Sequence, residues 1–489
     1  MMSTATAATT TTRKKMFIDG RWCDSDSGRT LNVINPATEE VIAEVAYGSR
    51  AEVKRALEAA HRAMQSWMKL TAYDRAKVLK KTADLMRERA DSIAKTLTLE
   101  QGKPVPEAKA EILHSADTFE WFAEEGKRAY GQVIPNHLPG KRHVTVKHPV
   151  GVVGSISPWN FPITLQSRKI APALAAGCTI VCKPASQTPL SLVQVFECLV
   201  DAGVPAGVVN LVMGPAQEVA DELLENPICR KISFTGSTEV GKQLMRGCAD
   251  QMKRVSLELG GHAPFIVFPD ADPEIGAKTA VMGKFRNNGQ VCIAPSRFYV
   301  HKDVQKKFVE ASVEFAKALK LGNGVDPGVE IGPMFEKKAM EGTIALVEDA
   351  KRCGAKVLTG GKRSDKFPKG YFFEPTVLTG LTPQVKMMTE EPFAPVMPIL
   401  DFSKIDDVIR EANNTKYGLA AYVFTNDLSV AWKMAEGLEA GIIGINDPVP
   451  AAPQCPFGGM KESGLGRELG HEGLEAYMET KYVSFKLRD

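Results

Sequence analysis

The chain has 489 residues, of which 44% are hydrophobic and 24% are charged. At roughly 150 residues per domain this length predicts about three lobes, and the composition is typical of a globular protein with a large core. The 61 Lys and Arg residues nearly balance the 58 Asp and Glu residues, and the net charge is +3. These values argue against a nucleic-acid-binding protein, a coiled coil and a disordered scaffold.

The segment 1–15 is rich in Ser, Thr and Ala and ends in three basic residues. It lacks the basic-then-apolar order of a secretory signal, so we expect a disordered tail. No window approaches the run of about 18 apolar residues that a membrane span needs. The nine cysteines lack zinc-ligand spacing, so we expect no metal site. They are expected to be reduced and, apart from one, buried, which indicates the cytoplasm.

Apolar periodicity predicts three amphipathic helices first and an alternation of short strands and helices after them. The first helices are predicted over 51–67, 75–99 and 107–124. The alternating strands are predicted over 150–156, 178–182, 208–212, 231–234 and 254–257, and the helices between and beside them over 165–176, 191–201, 217–225 and 238–249. This alternation predicts a parallel, doubly wound sheet, which binds ligands beyond the carboxyl ends of its strands.

A second α/β run is predicted over 264–444, with a joint at Gly260-Gly261. Its clearest elements are helices over 273–287 and 304–319 and strands over 298–301 and 441–445. Two further strands, over 143–148 and 482–487, have no neighbouring hairpin partner in the sequence. Such strands often form an arm that pairs across subunits, so we expect a homo-oligomer.

A strand-to-helix turn at Gly236-Ser237 is a candidate phosphate site. A glycine there lets the backbone approach a phosphate, and a helix N-terminus supplies N–H donors. The G-x-G-x-x-G fingerprint is absent, and any such turn can carry a glycine.

Three other positions carry reactive side chains beside stiff or permissive backbone. Cys292 follows a glycine-containing turn, Glu258 precedes two glycines at a strand end, and Asn160 lies in a loop bracketed by prolines. Taken alone, each favours a structural interpretation: a structural thiol for Cys292, a cap for Glu258 and a turn for Asn160. Together with the phosphate turn they are the parts needed to oxidise an aldehyde through a thioester.

The chain resembles the aldehyde dehydrogenase superfamily from about residue 17 to residue 486. The motifs that carry the resemblance occur in the family's order: PWNFP at 158–162, KPAS at 183–186, FTGSTEVG at 234–241, ELGG at 258–261, GQVC at 289–292, EEPFAP at 390–395 and PFGGMKESG at 456–464. Segments 98–104 and 120–128 resemble the succinate-semialdehyde dehydrogenase branch.

The resemblance implies an α/β fold of three parts. These are a Rossmann-like doubly wound cofactor domain (16–129 and 149–259), an α/β catalytic domain (260–455) and a small β oligomerisation arm (130–148 and 472–489) of a homodimer or homotetramer. It also implies that Cys292 is the nucleophile, that the Asn160 amide holds the oxyanion, and that Glu258 activates water. The site has to activate the thiol, since an ordinary cysteine is only a few per cent ionised at about pH 7.

The resemblance further implies a nicotinamide cofactor. The residues that would bind it are Pro158, Trp159, Lys183, Ser186, Gly236, Ser237, Glu391 and Phe393. Relatives that prefer NAD often carry Glu where Ser186 lies, and a carboxylate there would repel a 2′-phosphate. We therefore expect NADP to be preferred and NAD to be usable.

Two arginines match those that bind the far carboxylate in succinate-semialdehyde dehydrogenases, Arg168 and Arg286. Segment 448–454 departs from the branch, since it is rich in Pro and Ala where a hydroxyl contact is usual. Succinate semialdehyde is the first expectation, and glutarate, 2-oxoglutarate and sulfonated aldehydes stay open. CoA-acylating relatives typically lack the glutamate that Glu258 supplies. A catalytically silent relative is disfavoured because all three reactive residues are intact.

Overall fold

The computed structural model describes residues 13–488. Within them the α-helices are α1 (Arg50–Trp67), α2 (Ala72–Glu88), α3 (Ala90–Gln101), α4 (Val105–Glu125), α5 (Pro162–Ala176), α6 (Leu190–Asp201), α7 (Ala216–Glu225), α8 (Thr238–Ala249), α9 (Pro273–Phe285), α10 (Lys302–Ala318), α11 (Lys337–Arg352), α12 (Lys386–Thr389), α13 (Ile405–Asn413), α14 (Leu428–Gly437) and α15 (Gly470–Glu475).

The strands are β1 (Arg13–Lys14), β2 (Met16–Ile18), β3 (Arg21–Cys23), β4 (Thr30–Ile34), β5 (Val41–Ala46), β6 (Val133–Ile134), β7 (Lys141–Pro149), β8 (Val152–Ile156), β9 (Thr179–Lys183), β10 (Val209–Leu211), β11 (Cys229–Thr235), β12 (Arg254–Glu258), β13 (Ala263–Val267), β14 (Pro295–His301), β15 (Lys356–Thr359), β16 (Thr376–Thr379), β17 (Val396–Phe402), β18 (Ala420–Phe424), β19 (Ile442–Ile445), β20 (Gly464–Leu465) and β21 (Met478–Lys486).

The first large sheet is doubly wound, as predicted. Its order is β20-β12-β11-β8-β9-β10-β2-β3, and the five strands from β12 to β10 run parallel. Apolar residues of α1, α7 and α8, such as Leu57, form one core cluster with the sheet. Residues of α2 to α6, such as Phe119 and Leu174, belong to another. Helices on both faces explain why these strands read as continuous apolar runs in the sequence.

The second large sheet has the order β15-β16-β17-β14-β13-β18-β19 and is parallel except at β15. The chain enters it from the first sheet through Gly260-Gly261, between β12 and β13. A Cβ on Gly261 would lie 2.5 Å from the carbonyl oxygen of Cys292. The glycine therefore allows the crossing between the sheets to pack directly against the Cys292 loop.

The two isolated strands are partners of each other. β7 and β21 pair antiparallel along nine residues, and β6 pairs with the other side of β7. Neither strand has a hairpin partner next to it in sequence; the chain returns to β7 through α15, and the two strands pair within one chain. Sequence proximity could not reveal this pairing because more than 300 residues separate the two strands.

Two local predictions need correction. Residues 1–12 of the predicted tail lie outside the described residues, but Arg13 and Lys14 form β1 beside β5. Arg13 and Lys15 approach the Asp24 carboxylate at 3.0 and 3.1 Å, which orders this end. The helix predicted over 75–99 is two helices, because the backbone of Arg89 leaves the helical conformation between α2 and α3.

All nine cysteines are free, and five are buried. Cys23 and Cys292 are half-buried, and Cys353 and Cys455 are exposed, so the prediction that eight are buried is wrong. Within residues 13–488, no helix has both the length and the apolar character to span a membrane.

Candidate active site

The predicted site residues lie along one edge of the first sheet. Lys183 ends β9 and Glu258 ends β12. Between these strands lie β8 and β11, followed by the loop 157–161 and by Gly236. Because parallel strands end at the same edge, four motifs that are far apart in sequence meet there.

A cavity of about 250 Å³, here the strand-edge cavity, opens at this edge. Six of the eight predicted cofactor residues line it: Pro158, Trp159, Gly236, Ser237, Glu391 and Phe393. Lys183 and Ser186 lie outside this lining. Burial lowers the pKa of Lys183 to about 8, and its ammonium donates to the Pro184 carbonyl at 3.0 Å.

The walls of the strand-edge cavity combine an aromatic stack with a helix N-terminus. The Trp159 ring stacks on Phe335 with 4.1 Å between centroids, and Phe393 meets it edge-on at 5.8 Å. The Ser237 hydroxyl accepts from the Val240 N–H at 3.4 Å and caps α8. The positive end of the α8 dipole therefore lies at the cavity wall.

Glu391 is a buried carboxyl group of the strand-edge cavity, and its charge interacts with that of the buried Lys284. Burial raises its pKa to about 8, and the positive charge of Lys284 opposes that rise. Burial likewise lowers the pKa of Lys284 to about 7. Lys284 was not singled out from the sequence; its signal was a lysine in the otherwise apolar last turn of α9.

Cys292 lies between the strand-edge cavity and a second cavity, and it lines both. A 3-10 turn at Arg286–Gly289 precedes it, and the two asparagines of that turn, Asn287 and Asn288, have left-handed backbone (φ 46° and 57°). Asparagine tolerates this conformation better than most residues, because its short amide side chain can hydrogen-bond locally. The turn presents the thiol at the junction of the two cavities.

The loop that carries Asn160 is tied to the Cys292 loop. The Asn160 carbonyl accepts from Lys103 Nζ at 2.8 Å and from Asn287 Nδ2 at 3.0 Å. The Asn160 amide donates to the Gln290 carbonyl at 3.1 Å, and its Oδ1 has no partner among the described residues. These bonds hold the amide beside the thiol loop. Sequence reasoning missed Lys103, Asn287 and Gln290.

Burial works against ionisation of the Cys292 thiol. Burial raises its pKa to about 12; Arg168 is the largest influence in the opposite direction, and Glu391 adds to the rise. The resemblance implies that the site activates this thiol, and in the described geometry burial acts in the opposite direction. Attack on a carbonyl therefore requires a base that accepts the thiol proton.

Glu258 is fully buried and lines neither cavity. Both of its carboxylate oxygens lack a hydrogen-bond partner among the described residues. Burial, and next the like charge of Glu468, raise the pKa of Glu258 well above its ordinary value. A Cβ on Gly458 would lie 2.8 Å from Glu258 Oε1, so that glycine leaves room for the carboxyl group.

A buried ion pair lies behind this carboxyl group. Lys169 Nζ contacts Glu468 at 2.5 Å and Thr235 Oγ1 at 2.6 Å. Every residue of α5 is buried, which makes Arg168 and Lys169 two adjacent charges on a wholly buried helix. Two adjacent cationic residues in an otherwise apolar helix are a sequence signal for Lys169, and none of the motifs includes this residue.

The second cavity, also about 250 Å³ and here the arginine cavity, contains the two predicted arginines. Arg168 is 5% exposed, and its guanidinium lies 4.2 Å from the Phe457 ring. Its Nε has no partner, and among residues 13–488 neither Arg168 nor Arg286 has a carboxylate oxygen within 4.0 Å. A buried guanidinium without a carboxylate is costly unless an anion binds there.

Helix α4 forms another wall of the arginine cavity. Its Glu111 pairs with Lys103 at 2.5 Å and accepts from the N–H groups of Ile163 and Thr164 at the start of α5. The pair holds α5, and so Arg168, against α4. Segment 98–104 entered the sequence analysis only as part of the resemblance, and Lys103 itself was not singled out, since a buried lysine cannot be recognised from periodicity.

Within the described part of the chain, no cluster of three or more His, Cys, Asp or Glu side chains is placed to hold a metal ion. The reactive groups that the structure brings together are the thiol, the two carboxyl groups, the amide and the arginines.

The sequence model of the aldehyde dehydrogenase family matches residues 22–483. The chain is 47% identical to glutarate-semialdehyde dehydrogenase of Pseudomonas putida, covering 96% of this chain and 97% of the relative. It is also 47% identical to the NADP(+) succinate-semialdehyde dehydrogenase of Escherichia coli, covering 97% and 98%. It is 45% identical to 3-sulfolactaldehyde dehydrogenase of Pseudomonas putida, covering 96% of each.

Solved structures of the same size superpose closely on the chain. A crystal structure of an Escherichia coli NADP-dependent enzyme has a TM-score of 0.96 and 47% identity, covering 97% of this chain and 98% of that one. A crystal structure of succinate-semialdehyde dehydrogenase from Burkholderia pseudomallei has a TM-score of 0.96 and 44% identity, with the same coverage.

Proposed function

The chain belongs to the aldehyde dehydrogenase family, and from that premise we propose that it oxidises a short aldehyde with an anionic tail, succinate semialdehyde first, to the carboxylate with NADP or NAD. The observation that carries the proposal is the buried Arg168, which has no carboxylate partner among residues 13–488 and lies in a cavity that ends at Cys292. A bound anionic tail would supply the missing counter-charge and direct the aldehyde toward the thiol.

The first step joins the Cys292 sulfur to the aldehyde carbon. The electron pair of the carbonyl moves to its oxygen, and the thiol proton passes to Glu258. We assign the proton to Glu258 because its raised pKa makes it a stronger base and because its charge interacts with the thiol. The orphaned carboxylate oxygens leave Glu258 free to turn toward Cys292 without breaking a hydrogen bond.

The oxyanion needs donors that are already in place. The Asn160 amide has two hydrogens, and one of them is engaged by the Gln290 carbonyl. The second hydrogen and the backbone N–H of Cys292 are the proposed donors. The bonds from Lys103 and Asn287 to the Asn160 carbonyl keep this amide from moving away.

The cofactor residues fit a nicotinamide dinucleotide. The capped N-terminus of α8 offers N–H donors to a pyrophosphate, while Trp159, Glu391 and Phe393 line the part of the cavity that reaches Cys292. A nicotinamide cofactor supplies the hydride acceptor that converts the adduct into a thioester. Lys183 and Ser186, outside that lining, are proposed to meet the adenosine ribose. Ser186 places no carboxylate against a 2′-phosphate, and NADP is therefore the proposed preference.

Hydrolysis completes the reaction. Glu258, ionised again after its proton has left to solvent, takes a proton from the water that attacks the thioester carbon, and the carbon–sulfur bond breaks. The acyl group leaves as a carboxylate. A CoA-acylating reaction would not need this base, so the presence of Glu258 favours water as the acceptor.

The apolar wall of the arginine cavity favours a second group of anionic aldehydes. Val449 and Ala451 line the arginine cavity and offer no hydroxyl to the tail. A glutarate or 2-oxoglutarate semialdehyde, or a sulfonated aldehyde, is therefore the alternative to succinate semialdehyde.

The reduced-cofactor absorbance, followed with each anionic aldehyde, with propanal, and with or without CoA, tests the proposal. We expect turnover without CoA and the highest kcat/KM on an anionic aldehyde. Equal kcat/KM on propanal, or a strict requirement for CoA, would overturn it.

The arm of β6, β7 and β21 is proposed to join subunits into a homodimer or homotetramer. Its exposed apolar side chains, among them Tyr130, Val133, Tyr482 and Phe485, support this proposal. Light scattering that gave a monomer mass would contradict it.

The free cysteines support a reducing compartment, proposed as the cytoplasm.

A further inference from the structure

His114 is a half-buried histidine of α4 that lines the arginine cavity. No motif drew attention to it, and the proposed reaction does not use it. Burial lowers its pKa to about 4, and the positive charge of Arg168 acts in the same direction. Near neutral pH its ring is therefore uncharged and offers one N–H donor and one acceptor nitrogen.

The ring of His114 is uncommitted, whereas its polar neighbours are not. Within residues 13–488 its ring nitrogens have no hydrogen-bond partner. Glu111 is occupied by Lys103, the Glu107 carboxylate accepts from the Asn287 N–H at 2.9 Å, and the Thr164 hydroxyl bonds to Ser115 at 3.1 Å. His114 is thus the polar side chain of this wall that is free to meet a ligand.

The apolar residues that line the arginine cavity cannot donate a hydrogen bond to the tail of the substrate. Val449, Ala451 and Phe457 are apolar, so tail oxygens that face them lose hydration without gaining a donor. A carboxylate has about four acceptor sites, and Arg168, held over Phe457 with its Nε buried, cannot satisfy them all. An anionic tail that accepts one or two hydrogen bonds from Arg168 and one from Arg286 has acceptor capacity left for a third donor.

We propose that His114 is a third specificity-determining residue, which donates a hydrogen bond from its imidazole N–H to the anionic tail of the aldehyde. The inference rests on the proposed function, because it needs an anionic tail in the arginine cavity. It assigns to α4 the contact that the apolar segment 448–454 does not provide.

Two variants separate a hydrogen bond from a role in shape. His114→Gln keeps a donor and loses the ring, whereas His114→Phe keeps the ring and loses the donor. The measurement is kcat/KM for succinate semialdehyde divided by kcat/KM for propanal. We expect His114→Phe to lower this ratio about ten- to a hundredfold, as expected for a hydrogen bond to a charged group. We expect His114→Gln to stay within about threefold of the wild type.

His61→Phe, the same substitution at an exposed histidine of α1, is the matched control. A wild-type ratio in His114→Phe would overturn the inference, and a loss confined to His114→Gln would then indicate a role in shape. A loss in His114→Gln as large as that in His114→Phe would also overturn it, since glutamine keeps a donor. A wild-type enzyme without preference for anionic aldehydes would instead overturn the proposed function. The two failures are therefore distinguishable.

Discussion

The two cavities that meet at Cys292 are built by different means. The strand-edge cavity is lined largely by loops and turns that follow parallel strands, and its polar groups include a capped helix N-terminus. The arginine cavity is lined mostly by side chains of α4, α5 and the α9 end. It holds two cations, and the described part of the chain gives neither of them a carboxylate partner. A side chain on a helix can be substituted without moving the backbone, whereas a substitution in a turn at a strand end changes the backbone conformation. Substrate preference is therefore easier to change than the chemistry.

Removing the Cys292 thiol should abolish the reaction, because the thiol lies where the two cavities meet. We expect Cys292→Ala to abolish turnover, since no other side chain at the junction can form a thioester. Glu258→Gln should slow both the first formation of reduced cofactor and the later turnover, because the thiol lacks its proton acceptor and the thioester lacks a base for its hydrolysis. Rapid-mixing absorbance measurements check both. Sustained turnover by Cys292→Ala would disprove the assignment.

Substitutions in the arginine cavity should act on one class of substrate. Arg168→Ala and Arg286→Ala should each lower kcat/KM for succinate semialdehyde about ten- to a hundredfold, through KM, by removing a charge-assisted contact. The losses on propanal should be much smaller. Arg410→Ala, at an exposed position of α13, is the control. Equal losses on the two substrates would mean that the arginines are structural.

Cofactor choice should change without an effect on the arginine cavity. Ser186→Glu should lower the NADP to NAD ratio of kcat/KM about tenfold or more, because a carboxylate would repel a 2′-phosphate. Ser186→Gln has nearly the same shape without the charge and should change the ratio much less. An unchanged ratio in Ser186→Glu would show that Ser186 does not face the adenosine ribose.

The rate at which Cys292 is alkylated should depend on its raised pKa and on the charge of Arg168. With a pKa raised to about 12, the thiolate fraction of Cys292 rises tenfold for each pH unit between about pH 6 and 9, without a plateau. Alkylation by iodoacetamide, mapped at Cys292, should follow this slope. Arg168→Ala removes the largest influence that lowers the pKa, so alkylation should slow by roughly two- to tenfold. Alkylation that levels off below pH 8 would contradict the raised pKa.

The predicted elements and the described ones agree best where the apolar pattern alone decides. Helix 238–249 matches α8 residue for residue, and the strand predicted over 254–257 is β12 without its last residue, Glu258. The predictions failed where distant contacts decide. Nothing in the local sequence around residue 89 stops a helix, yet Arg89 leaves it and reaches the Asp201 carboxylate at 2.6 Å.

The candidate site shows the same division. The motifs identified the side chains that follow strand ends, because a Gly, Pro or Asn in a turn is visible locally. They did not identify Lys103, Lys169, Lys284 or His114. In the sequence Lys103 and His114 look like ordinary solvated polar side chains, and only tertiary packing buries Lys103 and half-buries His114. Lys169 and Lys284 differ only by their apolar neighbours in α5 and α9.

The sequence by itself determined the doubly wound sheet, the order of the motifs and the chemical types of the reactive groups, since each depends on local periodicity or on the residue itself. The tertiary structure decided which strands form the arm, that Arg168 lacks a carboxylate partner, and that Cys292 and Glu258 have raised pKa values. These properties depend on burial and on charges brought close by folding. They therefore depend on pairs of residues distant in the chain, which no local pattern contains.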